Sequence, residues 1–339
     1  MNLFNIKKKL DILVLGTDGM LGYDVYETLT KMSCHENSNI NNVIGFDREK
    51  LDFYNILNYD GALEHFFYVY KHFDYIINCV AMTDTYAAEN TKEGEELSYK
   101  LNALFPKRLA LICKIRKTKL IHISTDYVFS EKAPEYSSEN LHLGFMQSDT
   151  PFPINNYGMH KLVGEQFIKE KLNEKDYAIL RTSWLYGEHN QKSFIHKFIK
   201  HAFECMNNNK DIEVTENEYS VPTSTTTVIE YIKLVLNKKL TGIVHAVCDS
   251  NCKPVSRYDF AKYIAEQYNF LVDQYLSLNR KKIDIEKIIK ITRDDKLQPT
   301  YSYMHNYQFD TTCNNVYNWE NEVYKFLRKN FKKLYGEEK

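Results

Sequence analysis

The sequence predicts an α/β fold, a doubly wound parallel sheet with a smaller C-terminal portion. Three observations carry that prediction. Short apolar runs alternate with longer amphipathic stretches over about the first 250 residues, the first run ends in a glycine-rich turn, and the alternation lapses afterwards. An apolar run without polar alternation is a strand buried on both faces, and helices between such strands make parallel βαβ units.

Taken in order, strands are expected at Asp11–Leu15, Asn42–Phe46, Tyr75–Cys79, Lys119–Ile123 and Tyr177–Arg181. Helical periodicity falls between and after them, at Gly22–Lys31, Ala62–Lys71, Asn102–Ile115, Tyr157–Lys171 and Phe194–Met206. Ile212–Val214 and Gly242–Val247 continue as strands. Ser256–Tyr268 reads as a helix and Asn279–Thr312 as a polar stretch with few periodic signals. Trp319–Leu334 closes as an amphipathic, Lys-rich helix.

Composition narrows the function classes. Lys+Arg 44 against Asp+Glu 45 gives a net charge of −1, which offers no footprint for nucleic acid or an anionic membrane. With Gly 12, Pro 7 and 14% aromatics in 339 residues, the chain is neither low-complexity nor disordered. Seven cysteines, at 34, 79, 113, 205, 248, 252 and 313, form no CxxC pair. Free thiols in a reducing compartment are therefore expected, with no metal site. The N-terminus carries three lysines, but the apolar run Ile12–Leu15 is too short for a signal-peptide core or a membrane span. A cytoplasmic location follows as an expectation. His196 and His201 lie five apart, which is not metal-ligand spacing, and read as surface or packing residues. The lysines at 7–9 and the C-terminal Lys/Arg cluster read as solvated faces.

The chemistry-bearing motifs come in order along the chain. The first strand runs into Gly16-Thr-Asp-Gly19-Met20-Leu21-Gly22, which opens a helix. Glycines allow a tight turn and close backbone approach, and a helix N-terminus supplies N–H donors to a dinucleotide pyrophosphate. The second strand ends in Asp47-Arg48. The carboxylate suits a ribose 2′-hydroxyl and the guanidinium a 2′-phosphate, so NAD and NADP both stay open. Ser124-Thr125-Asp126 closes the fourth strand, at the edge where open parallel sheets bind ligands. Tyr157 and Lys161 then follow at i, i+4, which puts phenol and ammonium on one helix face. A nearby ammonium favours phenolate, so a tyrosine able to exchange a proton near neutral pH is expected.

With those residues in place, the sequence resembles the extended short-chain dehydrogenases/reductases, and within them the dTDP-4-dehydrorhamnose reductase family. The resemblance runs from about Asp11 to Tyr268 and rests on five segments. They are Gly16–Gly22, Asn78–Thr83 with Ala88-Glu89, Ser124–Phe129, Asn156–Glu165, and Arg181–Gly187. Pro222-Thr223, Gly242–His245 and Val255–Ala261 also look like this family. The resemblance implies a Rossmann-type NAD(P)-binding domain over 9–187, completed by about 211–247. Residues 188–210 and 248–339 would form the smaller substrate-binding portion. It further implies NADPH, with NADH possible, as cofactor, and reduction of the 4-keto group of a dTDP- or UDP-linked 4-keto-6-deoxy sugar. Tyr157 would give the proton, Lys161 would hold the nicotinamide ribose and tune Tyr157, and Thr125 would hydrogen-bond the developing alkoxide. Asp126 and Trp184 would contact the sugar nucleotide, with Trp184 as a flat apolar wall for the 6-deoxy sugar. Ala81, Met82 and Thr83 would line the cofactor, and Asp52-Phe53 would flank its adenine. The partner expected is the nucleotide-sugar substrate, with a homodimer as the assembly the family allows.

Some positions depart from the family pattern. Asn217-Glu-Tyr-Ser-Val-Pro-Thr223 stands where Asp-Gln-x-Gly-x-Pro-Thr is expected, Gln298-Pro299 where Arg-Pro is expected, and Tyr86 where an acid is expected. Two other readings compete. A 4,6-dehydratase or 4-epimerase shares the superfamily, but dehydratases carry a Glu base after Thr-Asp, and here Tyr127 follows. A non-catalytic NADP-binding regulatory subunit, such as that of methionine adenosyltransferase, shares the fold. Retention of Thr125, Tyr157 and Lys161 together favours an enzyme.

Overall fold

The first strand of the structure, a computed structural model, is β1 (Leu10–Leu15), and its side chains alternate between two cores. The residues described are 9–58, 61–70, 72–134, 144–189, 192–251, 253–275, 280–293, 297–305 and 317–334. The first half then runs α1 (Met20–Ser33), β2 (Ile40–Phe46), α2 (Ala62–Val69), β3 (Tyr75–Asn78), α3 (Thr85–Asn90) and α4 (Lys92–Tyr99). A π-helical turn, Lys100–Leu104, joins α4 to α5 (Phe105–Arg116), and β4 (Lys119–Thr125), α6 (Asn156–Lys171) and β5 (Tyr177–Thr182) follow. The second half runs β6 (Leu185–Tyr186), α7 (Phe194–Asn207), β7 (Ile212–Thr215), β8 (Tyr219–Ser220), β9 (Thr223–Ser224), α8 (Thr225–Leu236) and β10 (Gly242–His245). It closes with β11 (Val255–Ser256), α9 (Arg257–Gln274), β12 (Ile288–Ile291) and α10 (Trp319–Leu334).

Six parallel strands form one sheet in the order β10-β5-β4-β3-β1-β2. The chain leaves β1 for β2 on one side and returns to β3 on the other. That reversal opens a crevice beyond the strands' carboxyl ends, where ligands bind in such sheets. The period-2 alternation of a strand explains the two covered faces. Ile12 and Val14 of β1 join a core with Val25 and Leu29 of α1 and Val228 and Ile232 of α8. Leu13 and Leu15 join the opposite core with Phe67 of α2, Leu109 and Ile112 of α5 and Ile168 of α6. A third core, built from Phe198 and Ile199 of α7, Phe260, Ile264 and Tyr268 of α9, and Val323, Leu327 and Phe331 of α10, belongs to the C-terminal portion.

Two expectations change. Ile212–Val214 was assigned with the stretch that completes the main sheet, but β7 pairs in parallel with β12 instead. Glu213 is exposed between Ile212 and Val214, so the strand has one wet face and does not suit a sheet covered on both. The main sheet is completed by β10 alone, with α8 packed on it. The polar stretch Asn279–Thr312 supplies β12, the partner strand whose short pattern gave no periodic signal. Lys7, Lys8, Lys71, Cys252 and Cys313 lie outside the described residues. Cys34, Cys79, Cys113, Cys205 and Cys248 carry free thiols. Among the described residues no group of His, Cys, Asp and Glu is placed to hold a metal, and no helix is long and apolar enough to cross a membrane.

Candidate active site

The glycine turn is built by close approach. Gly16 sits at φ +84°, and a Cβ there would lie 3.0 Å from the Val80 nitrogen. A Cβ on Gly22 would lie 2.0 Å from the Gly16 carbonyl oxygen, so only glycine lets α1 start this close to β1. The Gly16 and Thr17 N–H groups donate to the Phe46 carbonyl at 2.8 and 3.2 Å, tying the turn to the end of β2. At Gly19 no side chain caps α1, and no acid occupies the first turn that Met20, Leu21 and Gly22 open. A Cβ on Gly19 would meet only the Gly16 oxygen, at 3.3 Å. Open N–H donors and an open backbone face fit a pyrophosphate.

Asp47 and Arg48 stand beyond β2, each already engaged. Asp47 accepts from the Lys50 backbone N–H at 2.9 Å, which with the Lys50 ammonium holds its carboxyl below the usual range. Arg48 donates to Asp18 of the glycine turn at 2.6 Å. Asp52 caps the next turn, accepting from the Asn55 and Tyr54 N–H groups, and its carboxyl is lowered first by the Asn55 backbone. Phe53 departs from expectation. Its ring is 2% exposed and packs edge-on against Phe105 at 5.4 Å, because the apolar side chain finds the core.

Beyond β3, Ala81, Met82 and Thr83 form the loop expected to line the cofactor. Asn102, in the π-helical turn, clamps it: its Oδ1 accepts from the Met82 N–H at 3.2 Å and its Nδ2 donates to the Met82 carbonyl at 2.9 Å. Asn102 was missed in the sequence. Its one signal is an amide within the otherwise apolar run Leu101–Phe105.

Thr125, Tyr157 and Lys161 come together at the ends of β4 and α6. Asn155 caps α6 by accepting from the Gly158 N–H at 2.7 Å. A Cβ on Gly158 would lie 2.2 Å from the Tyr127 carbonyl oxygen, so glycine lets the first turn of α6, with Tyr157, close onto β4's end. Tyr157 and Tyr127 meet edge to face at 5.9 Å. Burial pushes the Tyr157 phenol up to about 12, opposed by a hydrogen bond with Thr125. The expected pull toward phenolate is thus reversed, because desolvation, helped by the Asp126 carboxylate, outweighs the Thr125 hydrogen bond. Lys161 is 1% exposed and donates to the Ile123 carbonyl at 2.5 Å. Burial lowers its ammonium to about 8, with Glu165 opposing.

Asp126 lies beneath this group, 2% exposed. Its Oδ2 accepts from Ser220 at 2.8 Å and Ser302 at 2.6 Å, and its Oδ1 from Thr125 at 3.1 Å. Burial raises its carboxyl while these hydroxyls oppose the rise. Its oxygens are therefore spent on the protein and tie the C-terminal portion to Thr125. Ser220 stands where the family pattern has glycine, which gives that departure a structural use. Below lies a buried ion pair: Arg181 donates to Glu165 at 2.7 and 3.0 Å, and Ser124 donates to the same carboxylate at 2.5 Å.

Trp184 stands at the carboxyl edge of β5 with φ +38°. Its indole is not a bare wall, because the Arg257 guanidinium covers it at 3.5 Å from the ring centre. Glu218 holds that guanidinium at 3.3 Å and Arg293 at 3.1 Å. Gln298, where arginine was expected, accepts from the Tyr127 hydroxyl at 3.3 Å. Tyr86 is exposed. A cavity of about 570 Å³ opens elsewhere, between α1, the start of α8 and α10, and none of the sequence-predicted site residues lines it.

Comparison with known proteins agrees with this geometry. The family model described as the RmlD substrate binding domain matches residues 10–331. A dTDP-4-keto-6-deoxy-D-glucose reductase of Streptomyces niveus is 28% identical over 252 residues, 74% of this chain and 76% of that protein. A dTDP-4-dehydrorhamnose reductase of Escherichia coli is 26% identical over 265 residues, 76% of this chain and 78% of that protein. The crystal structure of a dTDP-4-dehydrorhamnose reductase from Bacillus anthracis in complex with NADP superimposes with a TM-score of 0.73. That pair is 25% identical and covers 95% of this chain and 99% of the other.

Proposed function

The chain belongs to the RmlD substrate binding domain family, and we propose that it reduces the 4-keto group of a nucleotide-linked 4-keto-6-deoxy sugar with NADPH. The substrate class is dTDP- or UDP-4-dehydro-L-rhamnose. The observation that carries this reading is the meeting of Thr125, Tyr157 and Lys161 beside the glycine turn, at the crevice of the sheet.

The glycine turn and the N–H groups that open α1 would hold the pyrophosphate. Asn102 holds the Met82 loop, which would line the cofactor. NADPH, when bound, supplies the hydride for the sugar's C4. Tyr157 keeps its proton at neutral pH, since burial has raised it to about 12, and gives it to the keto oxygen as charge develops there. Thr125, whose single hydroxyl proton goes to Asp126 Oδ1 in the structure, would turn it to the same oxygen. Lys161 is charged below about pH 8 and stabilises the phenolate that the transfer leaves. Asp126 keeps Thr125 in place, and Trp184 with Arg257 forms the far wall for the sugar nucleotide. The free thiols support action in a reducing, cytosolic compartment.

Purified protein is offered NADPH and the dTDP- and UDP-linked 4-keto-6-deoxy sugars, and NADPH consumption is followed by its absorbance. Oxidation that depends on the sugar is expected. Tight NADPH binding without oxidation on either sugar would refute the reading and leave a non-catalytic binding subunit.

A further inference from the structure

A buried chain of hydrogen bonds reaches Lys161 from β3 and β4, and it settles which ring nitrogen of His122 carries a proton. Asn78, His122 and Lys161 are 0%, 0% and 1% exposed. The Val80 backbone N–H donates to Asn78 Oδ1 at 3.1 Å, which commits the amide oxygen. The amide nitrogen therefore faces His122 Nδ1, 3.0 Å away, and an amide nitrogen can only donate. Nδ1 must supply the lone pair, so in the neutral ring the proton sits on Nε2. That Nε2 lies 3.4 Å from Lys161 Nζ.

We propose that His122, locked by Asn78 and Val80 as its Nε2–H tautomer, is a positioning residue that biases Lys161 toward the uncharged amine. The assignment rests on the reading of Lys161 as part of the active site. An ammonium has no lone pair, so it gains nothing from an N–H aimed at it, whereas a neutral amine accepts that hydrogen bond. The ammonium must turn its own protons elsewhere, and the Ile123 carbonyl takes one at 2.5 Å. The groups that face Lys161 are Cys79 after β3, His122 and the Ile123 carbonyl on β4, and Glu165 on α6. Glu165 favours the charge but is committed to Arg181 and Ser124. The Cys79 thiol, raised to about 12 by burial, brings no charge at neutral pH. The ring itself stays neutral, because burial and the neighbouring ammonium both disfavour imidazolium. One consequence is that the only buried ammonium among the described residues is poised to titrate within the working pH range.

The first test needs no substrate. Nitrogen-15 NMR of histidine-labelled protein is expected to show His122 neutral, with Nε2 protonated and Nδ1 not. The Nδ1–H tautomer or a doubly protonated ring at neutral pH would overturn the proposal. The second test replaces the donor by an acceptor. In His122→Gln the amide oxygen can face Lys161, and the alkaline limb of the pH dependence of NADPH affinity should move up by about half to one pH unit, a three- to tenfold gain in proton affinity. An unmoved limb in a folded variant would overturn it, because a merely structural role predicts weaker affinity without a moved limb. Should the wild-type protein bind NADPH yet reduce no sugar, the proposed reaction fails while both readouts here remain decisive.

Discussion

Replacing Glu165 with Gln keeps its volume and one hydrogen-bond acceptor but removes the charge opposite Arg181. Both side chains are 1% exposed, and Arg181 makes two bonds to the carboxylate, so water cannot take over. Removing one partner of such a pair leaves a buried charge uncompensated and costs about 3–5 kcal/mol. Set against a total stability of about 5–15 kcal/mol, the loss is large. At about 2–4 °C per kcal/mol, the melting temperature should fall by roughly 6–20 °C. Activity should fall too, because Glu165 lies one turn past Lys161 and holds Ser124, the neighbour of Thr125. A double variant, Glu165→Leu with Arg181→Met, removes both charges at similar volume and should recover most of the stability, since apolar substitutes for buried ion pairs are often neutral or better. Denaturant unfolding of Glu165→Leu, Arg181→Met and the double variant provides the cycle. A Glu165→Gln cost under about 1 kcal/mol, or a double variant no better than the sum of the singles, would refute the claim that this pair is coupled and dry.

Three further outcomes are expected. The rate should fall above about pH 8 as Lys161 loses its proton, while Tyr157, at about 12, stays protonated; a kcat profile that stays level well past that pH contradicts the assignment. Asp18→Asn should release Arg48 toward the 2′-phosphate and raise the NADPH-to-NADH preference by up to about fivefold, as suits a weak exposed pair; competition by 2′,5′-ADP against AMP measures it, and an unchanged ratio removes Arg48 from cofactor selection. Asn102→Ala leaves both Met82 backbone groups unpaired in a buried site, at about 1–3 kcal/mol for each group; unfolding and NADPH titration should show lower stability and weaker binding, and unaltered binding would detach the clamp from the cofactor.

Much of the fold was legible because its signals are local. The continuous apolar runs of β1, β3 and β5 marked a sheet covered on both faces, and Gly16, Gly19 and Gly22 marked the turn that β1 enters. Tyr157 and Lys161 were legible because i, i+4 spacing is a statement about one helix. What stayed hidden depends on residues far apart in the chain. Ser220 and Ser302 reach Asp126 across separations of 94 and 176 residues, so a carboxylate that looked free for substrate is fully engaged. Arg257 lies on Trp184 and turns an apolar wall into a cationic one, and no spacing rule foretells that pairing. Asp18, between two of the glycines, meets Arg48 with its carboxylate across 30 residues, which no local pattern shows. The phenol of Tyr157 departs from expectation for a related reason, since sequence shows the i, i+4 lysine but not the burial that raises the phenol.

The role proposed for Tyr157 is to give the proton when a 4-keto sugar nucleotide is reduced. Its most direct measurement compares wild-type and Tyr157→Phe protein at saturating NADPH and 4-keto-6-deoxy sugar nucleotide, with NADPH binding measured alongside. Sugar-dependent oxidation by the wild type is expected, with a variant that binds NADPH normally but turns over about 10²–10⁴-fold more slowly. A variant that matches the wild-type rate would contradict it.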